Sequence, residues 1–271
     1  SVEYTRILNL WDIFSKNSEE LKHDFNLITK DRESQKPNST NSILGEENLF
    51  IEEGAEVNCS IINATTGPVY IAKDAIVMEG SIIRGPFALC EASQTKLGAK
   101  IYGATTIGPH SKVGGELNNV VIFGYTNKGH DGFLGNSVLG EWCNLGADTN
   151  NSNLKNNYAE VRLWDYHTTR FVSTGLQFCG LIMGDHSKCG INTMFNTGTV
   201  VGVSANIFGA GFLRNFIPSF TWGGPQGKST YQLAKVFEVA EKVMKRRNLV
   251  FDDREKSILT KVFELSEKYR S

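Results

Sequence analysis

In residues 71–113 every sixth position is aliphatic with one exception, and this spacing constrains the fold more than any other feature of the chain. A period of six matches neither the 3.6-residue turn of an α-helix nor the two-residue alternation of a strand. It matches a parallel β-helix, in which each hexapeptide forms a wall and a corner, and three hexapeptides complete one coil of a triangular prism. The inward positions would be Ile71, Val77, Ile83, Leu89, Thr95, Ile101, Ile107 and Val113.

The repeat extends in both directions from this stretch. It begins near Leu49 with Ile51 and Val57, and it resumes in two later blocks after interruptions. The predicted inward positions of those blocks are Val121, Asn127, Phe133, Leu139 and Leu145, then Met183, Cys189, Phe195, Val201 and Ile207. Between the blocks, two short apolar runs flank a polar turn, which favours a hairpin-like arm. We therefore predict a β-helix over residues 43–211 with an arm inserted at about 153–178.

The two ends of the chain do not follow the repeat. Residues 1–42 show two helical stretches and a polar linker, which we expect to be the tail of a missing N-terminal domain. Residues 212–271 are predicted to form an irregular crossing segment and two helices. Ser229 and Asp252 are each followed three residues later by Gln or Glu, a spacing that predicts a helix start at each.

Composition narrows the classes of partner. A net charge of −1 and a pI near 6.5 argue against a nucleic-acid partner. No apolar run approaches the length of a membrane span, so no membrane partner is expected. The five cysteines show no paired spacing, which is typical of free thiols and indicates a cytoplasmic protein.

The segment 128–149 contains the residues best suited to chemistry. Its central feature is His130, followed by Leu134-Gly135, then by Asn144 and the pair Gly146-Ala147. Acetylation of an amine requires the ammonium to lose a proton, and imidazole accepts protons near neutral pH. A backbone N–H at the Gly146-Ala147 corner would stabilise the oxyanion that develops during transfer.

These residues resemble the acetyltransferase half of the bifunctional glucosamine-1-phosphate N-acetyltransferase/N-acetylglucosamine-1-phosphate uridyltransferase family and of related sugar nucleotidyltransferases. The shared pattern is GHxxxLG, then the asparagine and the Gly-Ala pair. The resemblance implies a left-handed β-helix, an amino-sugar phosphate acceptor, acetyl-CoA as co-substrate, a homotrimer and a role in UDP-N-acetylglucosamine synthesis. It implies Mg²⁺ only for a nucleotidyltransferase half, whose Gly-rich signature is absent from this sequence, and no metal at the acetyl-transfer site.

The resemblance also assigns roles to individual residues. His130 would be the general base of acetyl transfer. The substrate-binding residues would be Phe133, Asn144, Asn153 and Asn118, and the residues along acetyl-CoA would be Ala147, Ile191 and Gly209.

Departures from the family pattern keep other readings open. Asn118 stands where the family has a phosphate-binding lysine, and Phe133 stands where it has a tyrosine. Phosphate could instead be met by Lys112, Lys128, Arg162 or Arg170. The departures favour an alternative, a non-catalytic β-helix that trimerises or regulates an attached nucleotidyltransferase. A zinc carbonic anhydrase of the hexapeptide class would need three converging histidines, and His110, His130 and His186 are scattered in the sequence.

Overall fold

The computed structural model describes residues 4–270, which form a parallel β-helix of about 10 turns with four α-helices outside it. The helices are α1 Asp12–Ser15, α2 Asn17–Thr29, α3 Leu233–Lys245 and α4 Asp253–Leu265. The strands are β1 Ser42–Leu44, β2 Leu49–Ile51, β3 Glu56–Val57, β4 Ile61–Asn63, β5 Val69–Ile71, β6 Ile76–Val77, β7 Ile82–Arg84, β8 Phe87–Leu89, β9 Gln94–Thr95, β10 Lys100–Tyr102, β11 Thr105–Ile107, β12 Lys112–Val113, β13 Glu116–Ile122, β14 Asn127–Lys128, β15 Phe133–Leu139, β16 Asn144–Leu145, β17 Asn150–Asn151, β18 Arg162–Asp165, β19 Arg170–Ser173, β20 Leu181–Met183, β21 Lys188–Cys189, β22 Met194–Phe195, β23 Thr199–Val201, β24 Asn206–Ile207, β25 Phe216–Ile217, β26 Thr221–Gly224 and β27 Gly227–Thr230.

The strands stack into three walls, which the chain visits in the order A, B, C. Wall A contains β1, β4, β7, β10, β17, β22 and the first halves of β13 and β15. Wall B contains β2, β5, β8, β11, β20, β23, β25 and the second halves of β13 and β15. Wall C contains β3, β6, β9, β12, β14, β16, β21, β24 and β26. This architecture confirms the predicted fold class, a left-handed parallel β-helix of hexapeptide repeats.

The first block of the repeat fills the prism axis as predicted. All seven of its aliphatic residues are at most 2% exposed and belong to one hydrophobic cluster. Thr95 is also fully buried, and its hydroxyl shares a hydrogen bond of 3.0 Å with the hydroxyl of Ser81. A polar residue is tolerated on the axis there because its hydroxyl has a partner.

In the second block of the repeat, the first three predicted inward positions were wrong by one residue each. The inward residues are Ile122, Lys128 and Leu134, each at most 2% exposed, whereas Asn127 and Phe133 face outward. The physical reason is a short coil. Thr105 and Val120 are joined by a hydrogen bond across 15 residues instead of the usual 18, so the chain reaches the next coil earlier.

The β-helix also continues beyond the predicted end at residue 211. Strand β25 pairs with β23, and β26 pairs with β24, so the coils extend to Gly224. The segment looked irregular because Gly223 occupies the position next to inward Ile207, where the repeat predicts an aliphatic residue. Strand β27 then pairs antiparallel with β26.

Helices and the arm cover part of the outer surface. The arm carries the β18–β19 hairpin and packs with α1 against wall B, through a cluster that includes Phe14, Val138 and Leu163. Helices α3 and α4 pack against the corner between walls B and C. Within residues 4–270 no helix is both long and apolar enough to span a membrane.

Only one of the two predicted helix caps forms. The Asp252 carboxylate accepts a hydrogen bond of 2.9 Å from the Glu255 N–H at the start of α4. Ser229 instead lies within β27, and α3 begins three residues later than predicted, after Gln232. Ser229 cannot cap because strand pairing with Trp222 fixes its backbone.

Candidate functional site

Four of the predicted site residues form a column along the corner between walls C and A. Strand register places His130 beside Ala147, because Asn127 pairs with Asn144. The same reasoning places Ala147 beside Ile191, through the pairing of Leu145 with Cys189, and Ile191 beside Gly209. Successive coils are about 4.8 Å apart. The column is therefore a straight row of equivalent corner positions on four consecutive coils.

The corner that carries Ala147 leaves one backbone N–H donor free. The N–H of Gly146 donates to the Cys189 carbonyl at 3.1 Å, and the N–H of Asp148 donates to the Asp131 carbonyl at 3.0 Å. Within residues 4–270 the N–H of Ala147, between them, makes no backbone hydrogen bond. An unpaired N–H one coil from an imidazole is suited to stabilise a developing oxyanion.

Close backbone approach explains the glycine before Ala147. A Cβ atom on Gly146 would lie 2.4 Å from the carbonyl carbon of Gly190 on the next coil. Gly132, two residues after His130, has φ of +119° and leaves 2.2 Å between such a Cβ and the Thr149 carbonyl oxygen. Only glycine fits both positions, so the corner keeps its shape.

His130 itself is exposed, but its backbone is held from inside the prism. The ammonium of Lys128, a residue 2% exposed, donates to the carbonyl oxygens of His130 at 2.6 Å and of Gly114 at 3.0 Å. Burial lowers the pKa of Lys128 to about 8. The suggestion that Lys128 meets a substrate phosphate is wrong, because the prism encloses its side chain. The sequence did not indicate that Lys128 holds the His130 backbone, because the predicted repeat frame placed Asn127 inside the prism and the Lys128 side chain outside it.

Three of the predicted substrate-binding residues meet on wall A. Asn118 pairs in register with Gly135, and a Cβ on Gly135 would lie 2.4 Å from the Phe133 ring and 2.8 Å from the Asn153 amide nitrogen. Asn153 also donates to the Asn136 side chain at 2.8 Å. Gly135 therefore forms the floor of a small polar and aromatic patch beside the His130 corner.

Asn144, the fourth such residue, faces outward from wall C instead. Its side-chain oxygen accepts a hydrogen bond of 3.0 Å from the Asn127 amide. Adjacent walls of a triangular prism face in different directions. One protomer thus presents the predicted sugar-binding residues on two surfaces, with His130 at the corner that separates them.

The column has features that fit a thioester with an apolar arm. Ile191 is 70% exposed and Phe208, next to Gly209, is 43% exposed, so apolar surface continues along the corner from Ala147. The free Ala147 N–H lies at the end nearer His130. The residues that the resemblance places along acetyl-CoA are consistent with such a ligand.

The three histidines considered for zinc lie at two different corners. His110, Tyr125, Trp142 and His186 stack in sequence along the corner between walls B and C, with ring centroids 4.8, 4.2 and 6.2 Å apart. His130 lies across wall C from them. Burial, with a smaller contribution from Lys188, lowers the pKa of His186 to about 4. Among residues 4–270 no group of three or more His, Cys, Asp or Glu could hold a metal ion.

Comparisons with known proteins cover parts of longer relatives. No protein-family model matches the chain. It is 28% identical over 144 residues to a bifunctional sugar-1-phosphate nucleotidylyltransferase/acetyltransferase of Sulfurisphaera tokodaii, covering 52% of this chain and 35% of that protein. It is 33% identical over 87 residues to the bifunctional protein GlmU of Methanocaldococcus jannaschii, covering 32% of this chain and 21% of that protein. The chain therefore matches only a minor part of each relative.

Two solved structures align over most of the chain. One is the UDP-N-acetylglucosamine acyltransferase of Francisella novicida, with 13% identity, a TM-score of 0.40, and coverage of 85% of this chain and 91% of that one. The other is the polySia-specific acetyltransferase NeuO, with 15% identity, a TM-score of 0.37, and coverage of 70% and 81%. On the sequence matches, this β-helix resembles the acetyltransferase part of bifunctional sugar-1-phosphate nucleotidylyltransferase/acetyltransferases.

Proposed function

We propose that the chain is an acetyl-CoA-dependent N-acetyltransferase that acts on an amino-sugar phosphate. We further propose that it works as a homotrimer in the cytoplasm, as the C-terminal part of a sugar-1-phosphate nucleotidyltransferase-like protein that makes a nucleotide sugar. The similarity to bifunctional nucleotidylyltransferase/acetyltransferases supports the reaction class. The observation that carries the proposal is the neighbouring placement of His130 and the free Ala147 N–H.

The chemistry follows from these two groups. The acceptor's ammonium must lose a proton before its nitrogen attacks the thioester carbonyl, and the exposed His130 imidazole accepts that proton. As the C–N bond forms, the Ala147 N–H donates to the carbonyl oxygen, which gains negative charge. As the C–S bond breaks, the nitrogen releases its second proton and the sulfur takes up that proton, so the products are an amide and a thiol, with the first proton held by His130. The residues Ile191 and Gly209 would orient the donor along the corner.

Acetyl transfer to glucosamine-1-phosphate, followed by thiol release, tests the proposal. Removing a general base costs about a hundredfold or more, so His130→Ala should reduce turnover by that factor. His167→Ala is the matched control, because His167 is exposed on the arm hairpin, away from the column. Full activity of folded His130→Ala would exclude this residue as the base.

A second candidate is a non-catalytic β-helix that trimerises an attached enzyme. The observation that favours it is the apolar surface of wall A, where Ile61 and Ile82 point outward and are 47% and 48% exposed. Exposed aliphatic residues in a row are typical of an interface. A wild-type protein that is trimeric by sedimentation but neither binds acetyl-CoA nor transfers acetyl groups would support this candidate over the first.

A further inference from the structure

A basic cavity lies on wall C beside the proposed acetyl-transfer site. It has a volume of about 520 Å³ and lies between the wall and the end of α3. Four cationic side chains line it: Lys112 and Lys188 from the wall, and Arg246 and Arg247 from the residues after α3. Asn127 and Asn144 also line it. This volume lies within the range of small-molecule sites.

The positive charge in this cavity is not neutralised by the protein. No acidic residue lines it, and within residues 4–270 none of its four cations forms a salt bridge. On the solvent side of α3, by contrast, Lys235 and Lys242 both pair with Glu238, at 3.0 and 2.6 Å. The four cavity cations therefore lack the carboxylate partner that Lys235 and Lys242 of α3 share.

The cations are also close enough to repel one another. Burial lowers the pKa of Lys112, and the charges of Arg247, Lys96 and Arg246 lower it further. The ammonium of Lys188 faces only neutral partners, the carbonyl oxygens of Trp142 at 3.2 Å and His186 at 3.4 Å. An anion in the cavity would relieve this repulsion and form charge-assisted hydrogen bonds.

The neutral residues indicate what else the ligand carries. Asn127 donates to Asn144, which leaves the Asn127 carbonyl oxygen and the Asn144 amide hydrogens for ligand hydroxyl groups. Tyr125 offers no ring face, because His110 stacks on one side at 4.8 Å and Trp142 at 4.2 Å. The cavity thus suits a phosphate attached to a hydroxylated group better than a stacked base.

The cavity is within reach of the reacting centre. Asn127 precedes His130 by three residues, and three residues of extended chain span at most about 10 Å. We propose that this cavity binds the phosphate group of a phosphorylated ligand of the acetyl-transfer site. The inference rests on the proposed function for the identity of that ligand, and the phosphate could belong to the acceptor or to the donor.

Calorimetric binding to the full chain tests the inference without requiring turnover. The probes are glucosamine-1-phosphate against glucosamine, and CoA against dephospho-CoA. Loss of one charge-assisted contact should weaken binding by about tenfold to a hundredfold, so Arg247→Gln and Lys112→Gln should each weaken the phosphorylated member of one pair to that extent. The member of that pair that lacks the phosphate in question (glucosamine, or dephospho-CoA, which lacks only the 3′-phosphate) should bind as it does to wild type. The control is Lys242→Gln, which removes the same charge from α3 on its solvent side and should change neither pair.

The outcome identifies the source of the phosphate. Selective loss for glucosamine-1-phosphate assigns the cavity to the acceptor, and selective loss for CoA assigns it to the donor. Equal binding of all four probes by wild type and by both folded variants would overturn the inference, as would losses of equal size within each pair. If phosphate-selective binding depends on these cations but no acetyl transfer occurs, the cavity assignment stands and the proposed reaction fails.

Discussion

Lys128 is a cation on the axis of a prism whose interior is mostly apolar. Its ammonium donates to two carbonyl oxygens but has no carboxylate within hydrogen-bond distance among residues 4–270. Burying a charge without a counter-charge costs free energy. The folded protein therefore bears this cost at neutral pH, where Lys128 is protonated in both the folded and the unfolded chain.

The pKa of Lys128 predicts how stability changes in alkaline solution. The folded protein releases the Lys128 proton near pH 8, whereas the unfolded chain keeps it until about pH 10.5. Between these values the unfolded chain binds more protons, so Lys128 should add about 3 kcal/mol to the free energy of unfolding as pH rises. Urea unfolding of wild type and Lys128→Met at pH 7 and pH 10 measures the effect.

The comparison between these two proteins isolates Lys128 from other titrating groups. Burial raises the pKa values of Cys90 to about 11 and of Cys143 to about 12, which opposes the effect in both proteins. Lys128→Met should be the more stable protein at pH 7, and its advantage should shrink by pH 10. An advantage that does not depend on pH would show that Lys128 stays protonated in the folded protein up to pH 10, as it does in the unfolded chain.

At the scale of elements, the ring stack of His110, Tyr125, Trp142 and His186 couples stability to acid. His186 is protonated in the folded protein only near pH 4, but in the unfolded chain near pH 6.5. As pH falls through this window the unfolded chain binds the proton first, so the protein should lose about 3 kcal/mol of stability. Urea unfolding at pH 7 and pH 4.5 should show a smaller loss for His186→Phe than for wild type. A loss of equal size in both proteins would contradict this role.

The two candidate caps provide a matched pair of substitutions. Asp252→Ala removes the side-chain acceptor of the Glu255 N–H and should lower the free energy of unfolding by about 1 kcal/mol. Ser229→Ala should change it by less than about 0.5 kcal/mol, because Ser229 is exposed in β27 and caps no helix. Urea denaturation measures both values, and equal effects would contradict the difference between the two sites.

Sequence periodicity predicted the interior of the first coils because each aliphatic residue there marks one wall. It failed at Asn127 and Lys128, since a short coil leaves no trace in the spacing of apolar residues. The family resemblance, not periodicity, singled out His130, Ala147, Ile191 and Gly209, and strand register shows that they form one row. The basic cavity had no local signal, because Arg246 and Arg247 approach Lys112 only after α3 packs on the wall.

At the scale of the whole molecule, the surfaces left uncovered are those that a partner would need. Helix α1 and the arm occupy wall B, and α3 and α4 occupy one corner, but the His130 corner and the adjoining face of wall A are open. Asn144 and Phe133 point from different walls. A site that uses both residues would therefore join wall C of one protomer to wall A of another in the proposed homotrimer.

Mixing of inactive variants tests this arrangement. Asn144→Leu and Phe133→Asp should each abolish acetyl transfer alone. In trimers assembled from equal amounts of both, about a quarter of the interfaces would combine two intact walls, so about a quarter of the activity should return. Mixed trimers without recovered activity would place the site within one protomer.

The arm shows that the number of residues between two neighbouring coils does not determine the distance between those coils. Along the chain, 17 residues separate paired positions on the coils of His130 and Ala147, whereas 44 separate those on the coils of Ala147 and Ile191. Both steps are nevertheless a single interstrand spacing, because the extra residues leave and rejoin the prism near one corner. At the His130 corner, successive coils therefore stay one interstrand spacing apart, whatever the length of chain between them. Insertions elsewhere on a coil can lengthen the chain without altering the spacing of the corner positions along which a long ligand would lie.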